Sequence, residues 1–580
     1  MSSFLIAQVP DLSKATREIM WNIERPWLMY LLFVVAMSVF TYGMIQRIRY
    51  WKQGKADNER LSDWIKRALS LCFEMLFQKK VLRSKAPGIF HSFIFYSFVV
   101  LVITTAVVAF DYDFGGLFGV TFFHGWLYVV LTVGSEIAGV LVLVGVTMAL
   151  VRRLIVKPSF ITSDTGDFCA LLFLILLVVT GFLVEGLRIA VIGDPWQILS
   201  PVGVLFSKLF VSIGPDGAMV HKALWWLHTV LAMAWIASIP FTKFFHLIAL
   251  PTNVFFARTK SMGELARVDI NEMMEKMESG EMDEDDFKVG LEHSNELTWK
   301  QLLDMDACIE CGRCEASCPA TKTEADFSPK DFVRKTRDIA RTHMLSLADP
   351  KEADAVPLID KAFGEDFLWH CRTCGACMDV CPAAIDHVDT MMEIRRNEFL
   401  MQGRAPQEAQ KAIRTFENFG NPMGPQADRK DWIEEAGFKV VGAGEEVEVL
   451  YWIGCITTFD PQKQEIATDL GKILDSCGID WGVLGNDERC CGDPARLYGK
   501  EDLFQDATRA QVEALNSRKF KILLTACPHC FNVLANEYPG FGGNFKVMHH
   551  SEYLAQLLES GKLTLSGKVG EKLTYHDPCY

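Results

Sequence analysis

Only Cys72 and Cys169 of the 17 cysteines lie in the first 250 residues of this 580-residue chain. Charge is scarce there too: 21 Lys and Arg against 15 Asp and Glu, a net of +6, with no basic residue at all between positions 111 and 123. Residues 251–580 lack positive charge instead, with 37 basic against 57 acidic side chains, a net of −20. That balance excludes the phosphate backbone of nucleic acid as a partner of the second half. H-E-x-x-H, G-x-S-x-G and a phosphate loop are absent, and VGAGEEV at 441–447 is only a fragment of G-x-G-x-x-G that opens no evident helix. Hydride chemistry on a nicotinamide or flavin would therefore belong to another protein. What is present is apolar: 50% hydrophobic residues, 22% charged and a mean hydropathy of +0.15. Such a composition excludes disorder and a wholly soluble chain, and the length suggests about two to four domains.

Five stretches, roughly 27–46, 89–110, 126–150, 168–187 and 222–248, are long and apolar enough to cross a hydrocarbon core of about 30 Å as helices. The first begins too far in, and without a small-residue cleavage pattern, to be a removable signal. Arg47, Arg49, Lys52, Lys55, Arg60, Lys66, Arg67, Lys79, Lys80, Arg83 and Lys85 fill the 47–87 connection, whereas 111–123 carries Asp111 and Asp113. Arg152, Arg153 and Lys157 mark the next basic loop, and Lys243, Arg258 and Lys260 follow the last span. The positive-inside rule then places a multi-pass protein in the cytoplasmic membrane, N-terminus outside and everything after residue 250 in the cytoplasm.

Histidines mark the spans. His91 opens the second, His124 precedes the third, and the fifth carries His221, His228 and His246. On one helix the 18-residue step from 228 to 246 is five whole turns and about 27 Å, with His221 only about 20° off the stripe. Imidazoles at two depths on one face are what haems near opposite surfaces require, and His91, level with His246, completes a pair able to clamp one iron. Glu136 and Glu185 are costly in lipid and are candidates for proton relay to a quinone; alternatively, Glu185 pairs with Arg188. The spans resemble the cytochrome b (gamma) subunit of respiratory nitrate reductase, whose ligands lie on the second and fifth of five helices. His228 and His246 match that family's spacing, but Leu101 stands where it has another histidine. The resemblance implies haem b on His91 and His246. A second, outer haem would need His124 as substitute ligand, paired with His228 or His221.

After an acidic connector come CIECGRCEASCP and CRTCGACMDVCP, giving Cys308, Cys311, Cys314 and Cys318, then Cys371, Cys374, Cys377 and Cys381. Each is C-x2-C-x2-C-x3-C-P, the two-cluster ferredoxin run, in which the fourth cysteine serves the other cluster. Cys308, Cys311, Cys314 and Cys381 are thus assigned to one [4Fe–4S] cubane, and Cys371, Cys374, Cys377 and Cys318 to another. Zinc, the alternative, wants paired spacings rather than this doubled run. The 52 intervening residues read as helix, implying an α-helical ferredoxin.

Strand-like VEVLYWIGC then ends in Cys455, DERCCGDP supplies Cys490 and Cys491, and FKILLTACPHC ends in Cys527 and Cys530. This C-x34-CC-x35-C-x2-C layout resembles the cysteine-rich CCG domain of heterodisulfide reductase, and the resemblance implies a non-cubane [4Fe–4S] cluster as the catalytic centre. Structural zinc or empty thiols are the alternative. Cys477 falls outside the pattern, and Cys579 in YHDPCY looks like the first ligand of a second CCG motif.

The expected layout is multidomain. A five-helix transmembrane haem bundle (1–255) precedes an acidic helical connector (256–300), an α-helical two-cluster ferredoxin (301–400), a connector (401–446) and an α/β CCG domain (447–580). TWKQLLDMDACIECGRCEASCPA and GNPMGPQADRKDW make the whole chain resemble the electron-transfer flavoprotein:menaquinone oxidoreductases. That resemblance implies electrons from a cytoplasmic electron-transfer flavoprotein, or another redox partner, passing to menaquinone in the lipid. The alternatives are a thiol–disulfide oxidoreductase coupled to the quinone pool, or an anchor-and-relay subunit of a glycolate- or lactate-type dehydrogenase.

Overall fold

The computed structural model describes residues 11–210, 216–284, 287–344, 356–359, 363–364, 366–567, 570–575 and 578. The chain divides into two compact units. One comprises Met1–Lys52, Leu61–Phe255 and Asp306–Gly312, the other Gln53–Arg60, Phe256–Met305 and Arg313–Tyr580.

Among the described residues the first unit holds five helices long and apolar enough to span a membrane: Trp27–Trp51, Lys85–Phe118, Gly125–Val156, Thr165–Ile192 and Gly217–Phe241. The third is central, with 44% of its apolar window buried. Glycine lets its neighbours come that close. A Cβ on Gly145 would lie 2.8 Å from Phe90 O on the second span, and one on Gly139 would meet the Phe182 ring of the fourth. Asp164 caps the fourth span by accepting from Asp167 N at 2.9 Å.

The fifth span departs from the single helix to residue 248 that its periodicity suggests. Regular α-helix ends at Ser238, a 3-10 turn covers Ile239–Phe241, Thr242 is extended, and a new helix runs His246–Phe255. Pro240 has no N–H to continue the ladder, and the Thr242 hydroxyl accepts from Phe244 N at 3.3 Å to restart the turn. His228 and His246 therefore lie on different helices, and a shared stripe does not relate them.

In the second unit the acidic connector is mostly irregular among its described residues: an α-helix covers Ile270–Glu278, started by Asp269 and followed by Ser279 and Gly280, and the next begins at Trp299. The ferredoxin part contains the expected intervening helix, Pro329–Met344, and a buried helix His387–Arg396. Beyond it, strands β1 (Glu446–Trp452), β2 (Trp481–Val483), β3 (Lys519–Thr525) and β4 (Val547–His549) form a parallel sheet in the order β2-β1-β3-β4. The last four residues of β1 and all three of β2 are buried, as expected of strands covered on both faces by crossover helices.

A buried chain of charges joins these parts. Arg396 Nε donates to Glu501 Oε2 at 3.0 Å, Arg496 donates to the same carboxylate, and Arg496 Nη2 reaches Glu537 Oε2 at 3.1 Å. Leu265 of the connector donates its N–H to Glu537 Oε1 at 2.9 Å, and its carbonyl accepts from Arg496 at 3.0 Å. Burial pushes the Glu501 carboxyl up, but Arg396 and Arg496 outweigh it and hold the group below the usual carboxylate range. Its stabilising charge is thus present above the ordinary carboxylate pKa and lost as pH falls through the lowered value. Glu501→Gln is expected to leave two guanidinium groups poorly paired and destabilise this unit by about 3–5 kcal/mol. A thermal melt of purified protein at neutral pH, showing a transition well below that of the parent, checks this.

Candidate electron-transfer site

The membrane histidines are held in ligand-like tautomers. His246 Nδ1 lies 2.7 Å from Lys243 O, and a carbonyl can only accept, so Nδ1 carries the proton and Nε2 is the basic nitrogen. His91 Nδ1 faces Gln78 Oε1 at 3.3 Å, which has the same consequence. His228 Nδ1 lies 2.9 Å from Thr180 Oγ1, whose own proton goes to Leu177 O at 3.0 Å, so this imidazole too presents a basic Nε2. Gln78 caps the short helix Trp64–Phe77, and Trp64 packs on Phe255 at the end of the helix that His246 opens, with ring centroids 5.3 Å apart. One element thus adjoins both His91 and the His246 helix. His221 is buried edge-on to Trp21 at 4.8 Å. His124 stands at the N-terminal end of the third span, with its backbone paired to Thr16. Glu185 is ion-paired with Arg188 at 2.9 Å and Arg17 at 3.4 Å, while Glu136 accepts from Val202 N at 2.7 Å.

The two cysteine runs share a backbone signature. Glu310 and Gly312 in the first, and Thr373 and Gly375 in the second, occupy the same positions and all have positive φ. The left-handed turns curl each loop around its sulfurs, and Thr373 N donates to Cys371 Sγ at 3.3 Å. Cys318, Cys371, Cys374 and Cys377 come together within the second unit. Burial first, then the charges of Cys371, Cys314, Cys374 and Cys318, push the Cys377 thiol well above its usual range. Cys308 and Cys311 fall in the segment Asp306–Gly312 of the first unit, and Cys314 and Cys381 in the second.

The five CCG cysteines meet at the carboxyl ends of the central strands. Gly454, at φ +86°, turns the chain from β1 into Cys455, and a Cβ there would lie 3.4 Å from Cys530 Sγ. Cys527 follows β3, while Cys490 and Cys491 approach on the loop after β2, where Cys490 N donates to Gly420 O at 2.9 Å. Cys455 and Cys490 place their sulfurs 4.0 Å apart. Cys455 is held well above the thiol range, first by its hydrogen bond to Cys490 and then by burial. Cys530 moves up through its contacts to Cys491 and Cys527. The Cys530 contact lowers Cys527 to about 6. Protons shared among five crowded sulfurs are what such a set holds without a cation; iron or another thiophilic metal would replace them, so the donor chemistry fits. Cys579 lies outside the described residues.

Several functional side chains had no motif to mark them. Buried His387 places Nε2 3.1 Å from Cys377 Sγ, an imidazole hydrogen bond of the kind that tunes cluster potential. Arg395 donates to Cys371 O at 2.7 Å. Fully buried Arg429 pairs with Glu488 at 2.6 Å and sets a positive charge near Cys455, while Glu488 accepts from Ile453 N and Gly454 N. Asp493, 3.0 Å from His529 Nδ1, holds that imidazole above its usual range, and Arg372 acts on the same ring. Arg395 also donates to Leu497 O at 2.7 Å, and the Trp369 and Tyr498 rings lie 6.0 Å apart, so the Cys371–Cys377 loop neighbours the helix that follows Cys490 and Cys491. Only the placement of His387 ten residues after Cys377, and of His529 inside C-P-H-C, offered a signal in sequence.

His91→Ala and His246→Ala are each expected to lose the haem absorption band while iron and labile sulfide remain. Cys490→Ser is expected to keep haem and lose part of the non-haem iron, as read by pyridine haemochrome and metal analysis. Zinc without iron in the parent protein would contradict the iron–sulfur assignment.

Three family profiles match successive parts of the chain: Nitrate reductase gamma subunit at 117–262, 4Fe-4S dicluster domain at 304–385 and Cysteine-rich domain at 449–535. The EtfAB:quinone oxidoreductase of Syntrophomonas wolfei is 32% identical across 96% of this chain and 81% of its own length. The "Probable iron-sulfur-binding oxidoreductase FadF" of Bacillus subtilis is likewise 32% identical, across 95% of this chain and 82% of its own. One of the polypeptides of the dihydromethanophenazine:CoB–CoM heterodisulfide reductase of Methanosarcina barkeri is 30% identical over 49% of this chain and 70% of itself. No solved structure matches. With five apolar spans, a dicluster ferredoxin segment and a CCG domain in one polypeptide, the chain belongs to the family of membrane iron–sulfur oxidoreductases that includes EtfAB:quinone oxidoreductase and FadF.

Proposed function

We propose that this oxidoreductase takes electrons from a reduced cytoplasmic flavoprotein of the electron-transfer flavoprotein class and delivers them to menaquinone. Iron–sulfur clusters on the cysteine sets and haem b on His91 and His246 supply the one-electron chemistry. Cys318, Cys371, Cys374 and Cys377 would hold one cubane, Cys308, Cys311, Cys314 and Cys381 the other, and Cys455, Cys490, Cys491, Cys527 and Cys530 a non-cubane cluster. His228 has the tautomer a second haem would need. The basic connections 47–87 and 152–157 support an inner-membrane orientation with the N-terminus outside.

The observation that carries the reading is the adjacency of a five-thiol site and a ferredoxin ligand loop within one compact unit, where Arg395 donates both to Cys371 O and to Leu497 O of the helix after the Cys490–Cys491 pair, each at 2.7 Å. The chain's own residues prepare both. Arg429 offsets negative charge beside Cys455, His387 Nε2 lies within hydrogen-bond reach of Cys377 Sγ, and the Arg396–Glu501–Arg496 chain keeps the two loops in register. The relative from Syntrophomonas wolfei bears the name EtfAB:quinone oxidoreductase, in keeping with a flavoprotein donor and a quinone acceptor.

The five-thiol site and the likeness to the heterodisulfide reductase of Methanosarcina barkeri favour a second reading, thiol–disulfide exchange coupled to quinone. Purified membrane protein mixed anaerobically with reduced electron-transfer flavoprotein is expected to develop the reduced haem spectrum, which a menaquinone analogue then bleaches. Haem that stays oxidised with flavoprotein but reduces with a dithiol would overturn the first reading in favour of the second.

A further inference from the structure

The helix Trp64–Phe77 connects the first two spans, and its 14 residues are too few to cross the membrane. One side is fastened to its own unit. Arg67 is buried and donates to Ser62 O at 2.6 Å and Phe255 O at 3.4 Å, Trp64 stacks obliquely on Phe255, and Gln78 closes the helix buried at φ +46°. The other side is apolar and bare. Ile65 is 80% exposed, Leu69 and Leu76 are each 66% exposed, and Phe73 and Cys72 are exposed beside them. At 100° per residue these five fall within an arc of about 100°, the width of an interfacial helix's buried stripe. Lys66 edges the arc, and Lys79, Lys80, Arg83 and Lys85 follow at once; Lys79 Nζ lies 4.7 Å over the Phe73 ring, covering the stripe's end.

We infer that Trp64–Phe77 lies in the plane of the membrane interface, its apolar arc in the acyl boundary and its lysines against anionic lipid headgroups. Two observations select lipid as the occupant. The helix runs into the second span through the short connection 78–84, and Trp64 and Arg67 fasten it to Phe255 of the same unit, so its bare face lies beside the spans' lipid-facing surface. The cations flanking the arc also complement acidic headgroups. Because Gln78 engages His91 and Phe255 ends the helix that His246 opens, this lipid-seated element braces both histidines.

The native thiol of Cys72 allows a direct test in the full chain, with clusters intact and Cys169→Ala removing the other exposed thiol of the membrane unit. Spin label on Cys72, and on Leu69→Cys, Leu76→Cys and Ser70→Cys in a Cys72→Ala background, is read in nanodiscs of phosphatidylcholine and phosphatidylglycerol. Oxygen accessibility is expected to exceed that of a water-soluble nickel chelate at 69, 72 and 76, with the order reversed at Ser70. Nickel dominating at 69, 72 and 76 would place the arc in water and overturn the inference. Low accessibility to both there would also overturn it, with spin–spin broadening identifying a second copy and its absence another protein surface.

Discussion

Arg396, Glu501, Arg496 and Glu537 alternate in charge through the interior of the iron–sulfur unit, and none of them is tolerable there alone. A lone buried ion costs several kcal/mol, so each group is stable only while the others keep their places. That mutual dependence ties the helix behind the second cysteine loop to the helix behind the CCG loop. Electron transfer between neighbouring centres is steeply sensitive to their separation. A network that cannot shift without stranding charge is therefore a suitable device for fixing it.

The same problem of buried charge recurs at the sulfurs. Five CCG thiols and the Cys371 set are crowded where ionisation is costly, and in the CCG set Cys491 and Cys527 alone move toward the thiolate, lowered by hydrogen bonds from neighbouring thiols. Metal cations resolve that conflict, and the surroundings anticipate them. Arg429 is buried near Cys455, Arg395 braces the Cys371 loop, and His387 reaches Cys377. In the membrane unit no charge is needed, and the preparation is tautomeric instead: carbonyl, amide and hydroxyl partners hold the proton on Nδ1 of His246, His91 and His228.

The fifth span shows where periodicity misleads. An 18-residue spacing of histidines reads as one face of one helix, yet Pro240 and Thr242 break the ladder between them. The apolar composition from 222 to 248 hides the break, because hydropathy counts side chains while helix continuity depends on a single backbone N–H. For Glu185 the sequence left two readings open, proton relay or pairing with Arg188; Arg188, one turn on, and Arg17, far away in sequence, both pair with it.

Cysteine spacing, apolar run length and the distribution of Lys and Arg were enough, on sequence alone, for the architecture: five spans, a doubled ferredoxin run and a five-cysteine α/β domain. These are local properties, since three thiolates on one loop or twenty apolar residues in a row carry their meaning wherever the chain folds. The partners of those residues were decided only in three dimensions. That Arg429 pairs with Glu488 behind Cys455 and that Gln78 steadies His91 both depend on contacts between distant segments. A buried polar group must find its complement among whatever packing brings near, and no spacing rule encodes that.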